Sequence, residues 1–111
     1  MKKGKPSEKA IETQILTYLS YRPDCFAWKN NTTGIYDSSK GVYRNNRNKF
    51  AITGVADILG VHMGRILCIE VKKPGGKLSQ AQENFLKRIK ECGGIAGMAT
   101  CVNDVKEILK Q

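Results

Sequence analysis

Long apolar runs are missing from this sequence: none of its 111 residues lies in a stretch approaching the roughly 20 needed to span a bilayer. Histidine is almost absent, with His62 alone. The four cysteines, Cys25, Cys68, Cys92 and Cys101, are scattered and never reach the Cys-x-x-Cys spacing of a zinc site. His62 is therefore read as a turn residue between two strands, not as a ligand. The basic N-terminus "MKKGKPSEKA" is followed by a polar amphipathic segment where a secretory signal would need an apolar core. Scattered thiols without such a signal point to a reducing cytoplasm. Repeats and interdomain linkers are also lacking, and the length fits one domain, residues 1–111, around one core.

Acidic residues are scarce. Ten carboxylates stand against nineteen lysines and arginines, a net charge of +9 that calls for a polyanionic partner, most simply nucleic acid.

Ser7 is placed to cap a helix over 8–20, "EKAIETQILTYLS", with Ile11, Ile15, Leu16, Tyr18 and Leu19 on one broad stripe. Glu12 falls inside that stripe. "CFAWKN" then reads as a short strand, and residues 31–53, rich in Asn, Ser, Thr, Gly and Arg, as a long connection of the kind that carries function. "GVADILGV" and "RILCIEVKK" read as a hairpin around "HMG", and Ser79 opens a second helix over 80–91 that Gly93-Gly94 closes. "IAGMATCV" is a further strand and "NDVKEILK" a terminal helix capped by Asn103 or Asp104. The order α-β-β-β-α-β-α predicts an α/β fold, a mixed central sheet flanked by helices, with a parallel crossover from Arg65 to Val102.

Charged residues sit where this pattern wants apolar ones. In "LCIEVKKPGG" alternation turns Leu67, Ile69 and Val71 to one face and Cys68, Glu70 and Lys72 to the other. Asp57 interrupts the apolar run of the partner strand, although a three-residue turn at 62–64 aligns it with Glu70 only through a bend or bulge. If Glu12 packs onto the same sheet, three carboxylates and an ammonium converge. Like charges about 4 Å apart repel by roughly 4 kcal/mol at an effective dielectric near 20, so a cation belongs among them. Oxygen donors favour a hard divalent ion, magnesium or manganese. A water activated by such an ion beside a lysine is equipped to attack phosphate. The bland alternative for Glu70 and Lys72, an ion pair that blunts a strand edge, leaves Asp57 and Glu12 unexplained.

An Asp on one strand and Glu-x-Lys on the next resemble the PD-(D/E)xK nucleases, whose core is that of restriction endonucleases. More narrowly, Glu12, "GVAD" at 54–57, "IEVK" at 69–72 and "LSQAQ" at 78–82 resemble the VRR-NUC family, the virus-type replication-repair nucleases, similar in core to Holliday-junction resolvases. The resemblance implies Asp57, Glu70, the backbone carbonyl of Val71 and Glu12 as metal ligands, Lys72 as the lysine that orients the attacking water, and Gln82 as a helix glutamine near the site. Gln82 also completes a capping box with Ser79. Lys29 and Asn30 match the strand before the family's variable loop, with Lys29 where an Arg is usual; Ala56 replaces the usual Pro before Asp57. The resemblance further implies a metal-dependent endonuclease acting on branched or structured DNA such as a four-way junction, a homodimer with two sites for two strands, and a bacterial or phage-infected cytoplasm. Arg44 and Arg47 in the long connection, with Lys73 and Lys77 around Gly75-Gly76, are the expected phosphate contacts. The alternative function is a catalytically inactive nucleic-acid-binding domain that keeps the nuclease fold.

Overall fold

Ser7 starts the first helix by accepting the Ala10 N–H on its hydroxyl at 3.1 Å, and the amphipathic stripe does the rest. In the computed structural model, which describes residues 5–31, 35–37, 42–44 and 49–111, this helix is α1, Glu8–Ser20, with Ile11, Ile15 and Leu19 buried. Strand β1, Cys25–Lys29, follows. The connection predicted as irregular carries a two-stranded antiparallel hairpin of its own, β2, Ile35–Asp37, with β3, Val42–Arg44. Strands of three residues are too short to show a period in sequence. The main chain then returns through β4, Ile58–His62, and β5, Arg65–Val71, to α2, Gln80–Glu91, β6, Ile95–Ala99, and α3, Val102–Ile108.

The main sheet runs β1-β4-β5-β6. Its first three strands are antiparallel and β6 joins β5 in parallel, as a strand-helix-strand crossover requires. The expected mixed sheet and core element order are both present. One face of the sheet packs on α1 and α3, burying Ile58, Leu67, Ile69, Val71 and Ile95 against Ile11, Ile15, Leu19, Val105 and Ile108. Each such side chain contributes about 1.5–3 kcal/mol on burial, so this layer supplies most of the fold's driving force. The other face packs α2 over β5 and β6 through Ala56, Cys68, Leu86 and Ala96. The β6 edge is occupied by Gln111, whose side-chain amide exchanges two hydrogen bonds with the Ala96 backbone at 2.9 and 3.2 Å, a block against pairing with another strand.

Two local expectations need correction. The β4–β5 turn has two residues, not three: His62 pairs with Arg65, and Met63 and Gly64 bridge them with φ of +50° and +80°. Positive φ at both central positions is the backbone of the turn that matches strand twist. The last helix is not capped by Asn103 or Asp104. Cys101 holds the cap position without a side-chain bond, and Asp104 reaches back to accept the N–H and hydroxyl of Thr100 at 2.8 and 2.9 Å. No helix among the described residues is long and apolar enough to cross a membrane.

Candidate active site

The two-residue turn decides where the carboxylates meet. Register runs from His62↔Arg65 to Ile58↔Ile69, and one step further puts Asp57 opposite Glu70. No bulge is involved. With a three-residue turn Asp57 would have faced Ile69 and pointed to the wrong side. Asp57 lies just before β4, where its Oδ2 accepts the Val71 N–H at 2.9 Å and its backbone carbonyl accepts the Asn30 N–H at 2.7 Å. The aspartate is thus fixed to both neighbouring strands.

Glu70 is 3% exposed. Its Oε1 accepts the Gln82 side-chain N–H at 3.0 Å and lies 3.9 Å from Lys72 Nζ. Its Oε2 is buried and has no hydrogen-bond partner among the described residues. Burial first, and then the adjacent charge of Asp57, push the Glu70 carboxyl from its ordinary 4.5 up to about 8, against the opposing pull of Lys72. An orphaned carboxylate oxygen in a protein interior is costly unless something positive binds it. The set of donors is oxygen throughout, which suits a hard divalent cation held by Asp57 and Glu70.

Gln82 does both things the sequence allowed. Its Oε1 accepts the Ser79 N–H at 2.9 Å while Ser79 Oγ accepts the Gln82 N–H at 3.2 Å, and its remaining amide N–H group holds Glu70. Lys72 follows β5, its backbone N–H bonded to the Ala99 carbonyl at 3.0 Å. The chain then turns at Pro74-Gly75, closed by the Gly76 N–H on the Lys73 carbonyl at 2.8 Å; Lys73 and Lys77 are exposed there. Val71 buries its side chain in the core.

Glu12 makes its ion pair with Lys29, carboxylate to Nζ at 3.2 Å, and no hydrogen bond or ion pair among the described residues joins it to Asp57, Glu70 or Lys72. Lys29, expected at nucleic acid, thus has its ammonium on the α1 side. Asn30 is beside Asp57 as described. Arg44 ends β3, but its side chain, like the whole of Arg47, lies outside the described residues.

A second polar cluster went unseen in the sequence. Pairing Cys25 with His62 at the far end of β1 and β4 brings His62 Nδ1 to 3.3 Å from Cys25 Sγ, 3.2 Å from the Asp24 carbonyl and 3.7 Å from Asp24 Oδ2. His62 is the buried last residue of β4, not a residue of the turn. The ligand atoms of Asp24, Cys25 and His62 lie within 4.8 Å of one another, a spacing that would hold a metal ion. Yet the Arg22 guanidinium already takes both Asp24 oxygens at 2.9 and 2.7 Å and holds that carboxyl down at about 2, and burial raises the Cys25 thiol. The cation position is filled by arginine.

Residues 9–103 match the family model described as the VRR-NUC domain. The chain belongs to the VRR-NUC family. A solved structure described as a "VRR_NUC domain protein" superposes on it with a TM-score of 0.64 at 16% identity, covering 97% of this chain and 88% of that one. At that identity the likeness shows the fold, and it is the α/β nuclease fold expected from the motifs. No curated protein matches the sequence. In the structure "GVAD", "IEVK" and "LSQAQ" are the segments that meet at Glu70, while Glu12 pairs with Lys29.

Proposed function

We propose that this chain is a metal-dependent endodeoxyribonuclease that hydrolyses phosphodiester bonds in branched or otherwise structured DNA, four-way junctions included. One observation carries the reading: Glu70 is buried with an unsatisfied oxygen, pressed against Asp57, with an ammonium 3.9 Å away. A purely structural ion pair gives no reason to bury a second carboxylate against Glu70. Asp57 and Glu70, with the Val71 backbone carbonyl, would hold magnesium or manganese; when bound, that cation supplies Lewis-acid activation of water and phosphate.

The chain's own groups do the remainder. Lys72 places positive charge beside the site, where it stabilises the charge that develops on phosphate and orients the attacking water. Gln82 fixes one oxygen of Glu70 and leaves the other free. The Val71 N–H fixes one oxygen of Asp57 in the same way. Lys73 and Lys77, with Asn30 beside Asp57 and Arg44 and Arg47 from the long connection, engage backbone phosphates. Glu12 contributes by neutralising Lys29 or, once that pair opens, by approaching the metal. A twofold dimer would present two such sites to the two strands of a junction, in a bacterial or phage-infected cytoplasm.

The test is cleavage of labelled four-way junction, flap, single-stranded and duplex DNA with magnesium, manganese or calcium, alongside Lys72→Ala and Asp57→Ala. We expect cutting with magnesium or manganese and a loss of about a hundredfold or more in both variants. Absence of cutting on every substrate, or undiminished cutting by both variants, would overturn the proposal; binding without cutting would assign the chain as an inactive DNA-binding domain.

A further inference from the structure

Alternation along β1 turns Phe26 and Trp28 to the sheet face that carries Glu70, since Phe26 is opposite Val61, Val61 opposite Ile66, Trp28 opposite Leu59 and Leu59 opposite Cys68. Helix α2 packs on this face over β5 and β6, with Leu59 of β4 at its margin. Phe26 is left 68% exposed and Trp28 46%, with Val61 and Ile66 beside them. The two aromatic rings meet edge to face, centroids 5.5 Å apart at 86°.

The exposed aromatics lie on the sheet face that carries the carboxylates. Leu59, the partner of Trp28, is two residues from Asp57, which makes Trp28 and Asp57 diagonal neighbours on one face, roughly 7–8 Å apart. Asn30, two residues after Trp28 and just past the end of β1, donates its N–H to the Asp57 backbone carbonyl. A group stacked on Trp28 would therefore lie about one nucleotide from the scissile position.

We infer that Phe26 and Trp28 are a stacking platform for unpaired bases, so that the site takes DNA with a locally single-stranded segment next to the phosphate it addresses. The inference rests on the proposed DNA-cleaving role for the direction of the strand. A π-face accepts every base, which gives preference for unpaired over paired nucleotides without sequence readout. The charge of the chain, +9, suits that polyanion. A second copy of the chain is the competing occupant. The four side chains expose about 400 Å² at ordinary aromatic and aliphatic areas, whereas a stable interface needs about 800 Å² from each partner.

Trp28 is the only tryptophan in the sequence, so its fluorescence reports this face alone. The experiment titrates the metal-free Asp57→Ala protein with single-stranded and duplex oligonucleotides of equal length. Stacking predicts saturable quenching of Trp28 by the single strand and, with affinities of the tryptophan-free variants read from the anisotropy of end-labelled oligonucleotides, a ratio of single-strand to duplex affinity that falls roughly five- to a hundredfold in Trp28→Leu. Trp28→Phe should restore most of that ratio, because an aromatic ring stacks and leucine of similar apolarity does not. No change in Trp28 fluorescence at saturating single strand, or equal behaviour of the Leu and Phe variants, overturns the inference. So does a dimer in sedimentation that becomes monomeric in Phe26→Ala/Trp28→Ala, which assigns the face to a second copy. The titration of Trp28 needs no further substitution on this face, and it needs no cleavage, so loss of the nuclease reading would leave its result standing and separately readable.

Discussion

Gln82 ties the first turn of α2 to Glu70: its side-chain nitrogen donates to Glu70 Oε1 at 3.0 Å while its oxygen accepts the Ser79 N–H at 2.9 Å. One amide thereby serves the helix cap and the carboxylate together. Gln82→Ala removes both and should lower stability by about 1 kcal/mol, the usual worth of a cap. Gln82→Glu keeps an acceptor for Ser79 but sets a third carboxylate against Glu70 and Asp57. Its thermal midpoint should therefore depend on magnesium more steeply than that of the Ala variant. Thermal unfolding with and without magnesium checks this, and equal magnesium dependence in the two variants would refute the dual role.

The raised Glu70 carboxyl makes stability depend on pH in a definite direction. Its ordinary value is 4.5 and the folded value about 8, so between those pH values the native state keeps a proton that the unfolded chain has released. Stability from this group is fully present below about 4.5 and is lost as pH rises through about 8. Without metal, the thermal midpoint should fall across that window, and Glu70→Gln should flatten the fall. Magnesium should stabilise the protein most at pH 8.5 and least at pH 5, where protons occupy the site. A midpoint that rises with pH in the metal-free protein would contradict the assignment.

Met63 is the one described non-glycine residue with positive φ, +50°, and it is exposed. Left-handed backbone costs an L-residue about 1–2 kcal/mol, which asparagine partly escapes. Met63→Asn should raise unfolding free energy by about 0.5–1 kcal/mol in urea with the denaturant slope unchanged. Because asparagine keeps the same two-residue turn, and with it the register that brings Asp57 to Glu70, cleavage should be unaltered.

That turn also marks the limit of what sequence could show. Caps and periodicity are local, so α1 from Ser7, α2 from Ser79 and the strand through Glu70 were all readable, and the four motif segments pointed to the family. Turn length was not readable from "HMG", because Met63 is a poor choice for positive φ and hid the two-residue turn. Likewise the Cys25–His62 pairing depends on the register of β1 against β4, whose partnered residues are 29 to 37 apart in the chain, and nothing local signals it. Glu12 was visible as an anomaly in an apolar stripe; that its partner would be Lys29 depended on which layer α1 covers. The exposure of Trp28 and Phe26 follows from how far α2 extends across the sheet, a tertiary fact with no trace in "CFAWK".

Gly54, the first residue of "GVAD", tests how the carboxylates are supported from beneath. It has φ of +80°, and a Cβ there would stand 2.5 Å from the backbone carbon and oxygen of Ala81 and 2.8 Å from the Gln82 nitrogen. Backbone atoms cannot swing aside as a side chain can, so Gly54→Ala must either push the start of α2 away or distort the segment leading to Asp57. Both the left-handed backbone and the overlap oppose the substitution, and we expect a loss of about 2–4 kcal/mol, at the severe end for one residue. Moving α2 also draws Gln82 off Glu70, so magnesium should stabilise the variant less than it stabilises the parent protein at pH 8. Gly93 provides the control: its φ is +93° but a Cβ there would meet nothing within 4 Å, so Gly93→Ala should cost only the backbone term of about 1–2 kcal/mol and leave the magnesium response intact. Equal magnesium responses in the two variants would show that the packing of Gly54 on α2 does not reach the site.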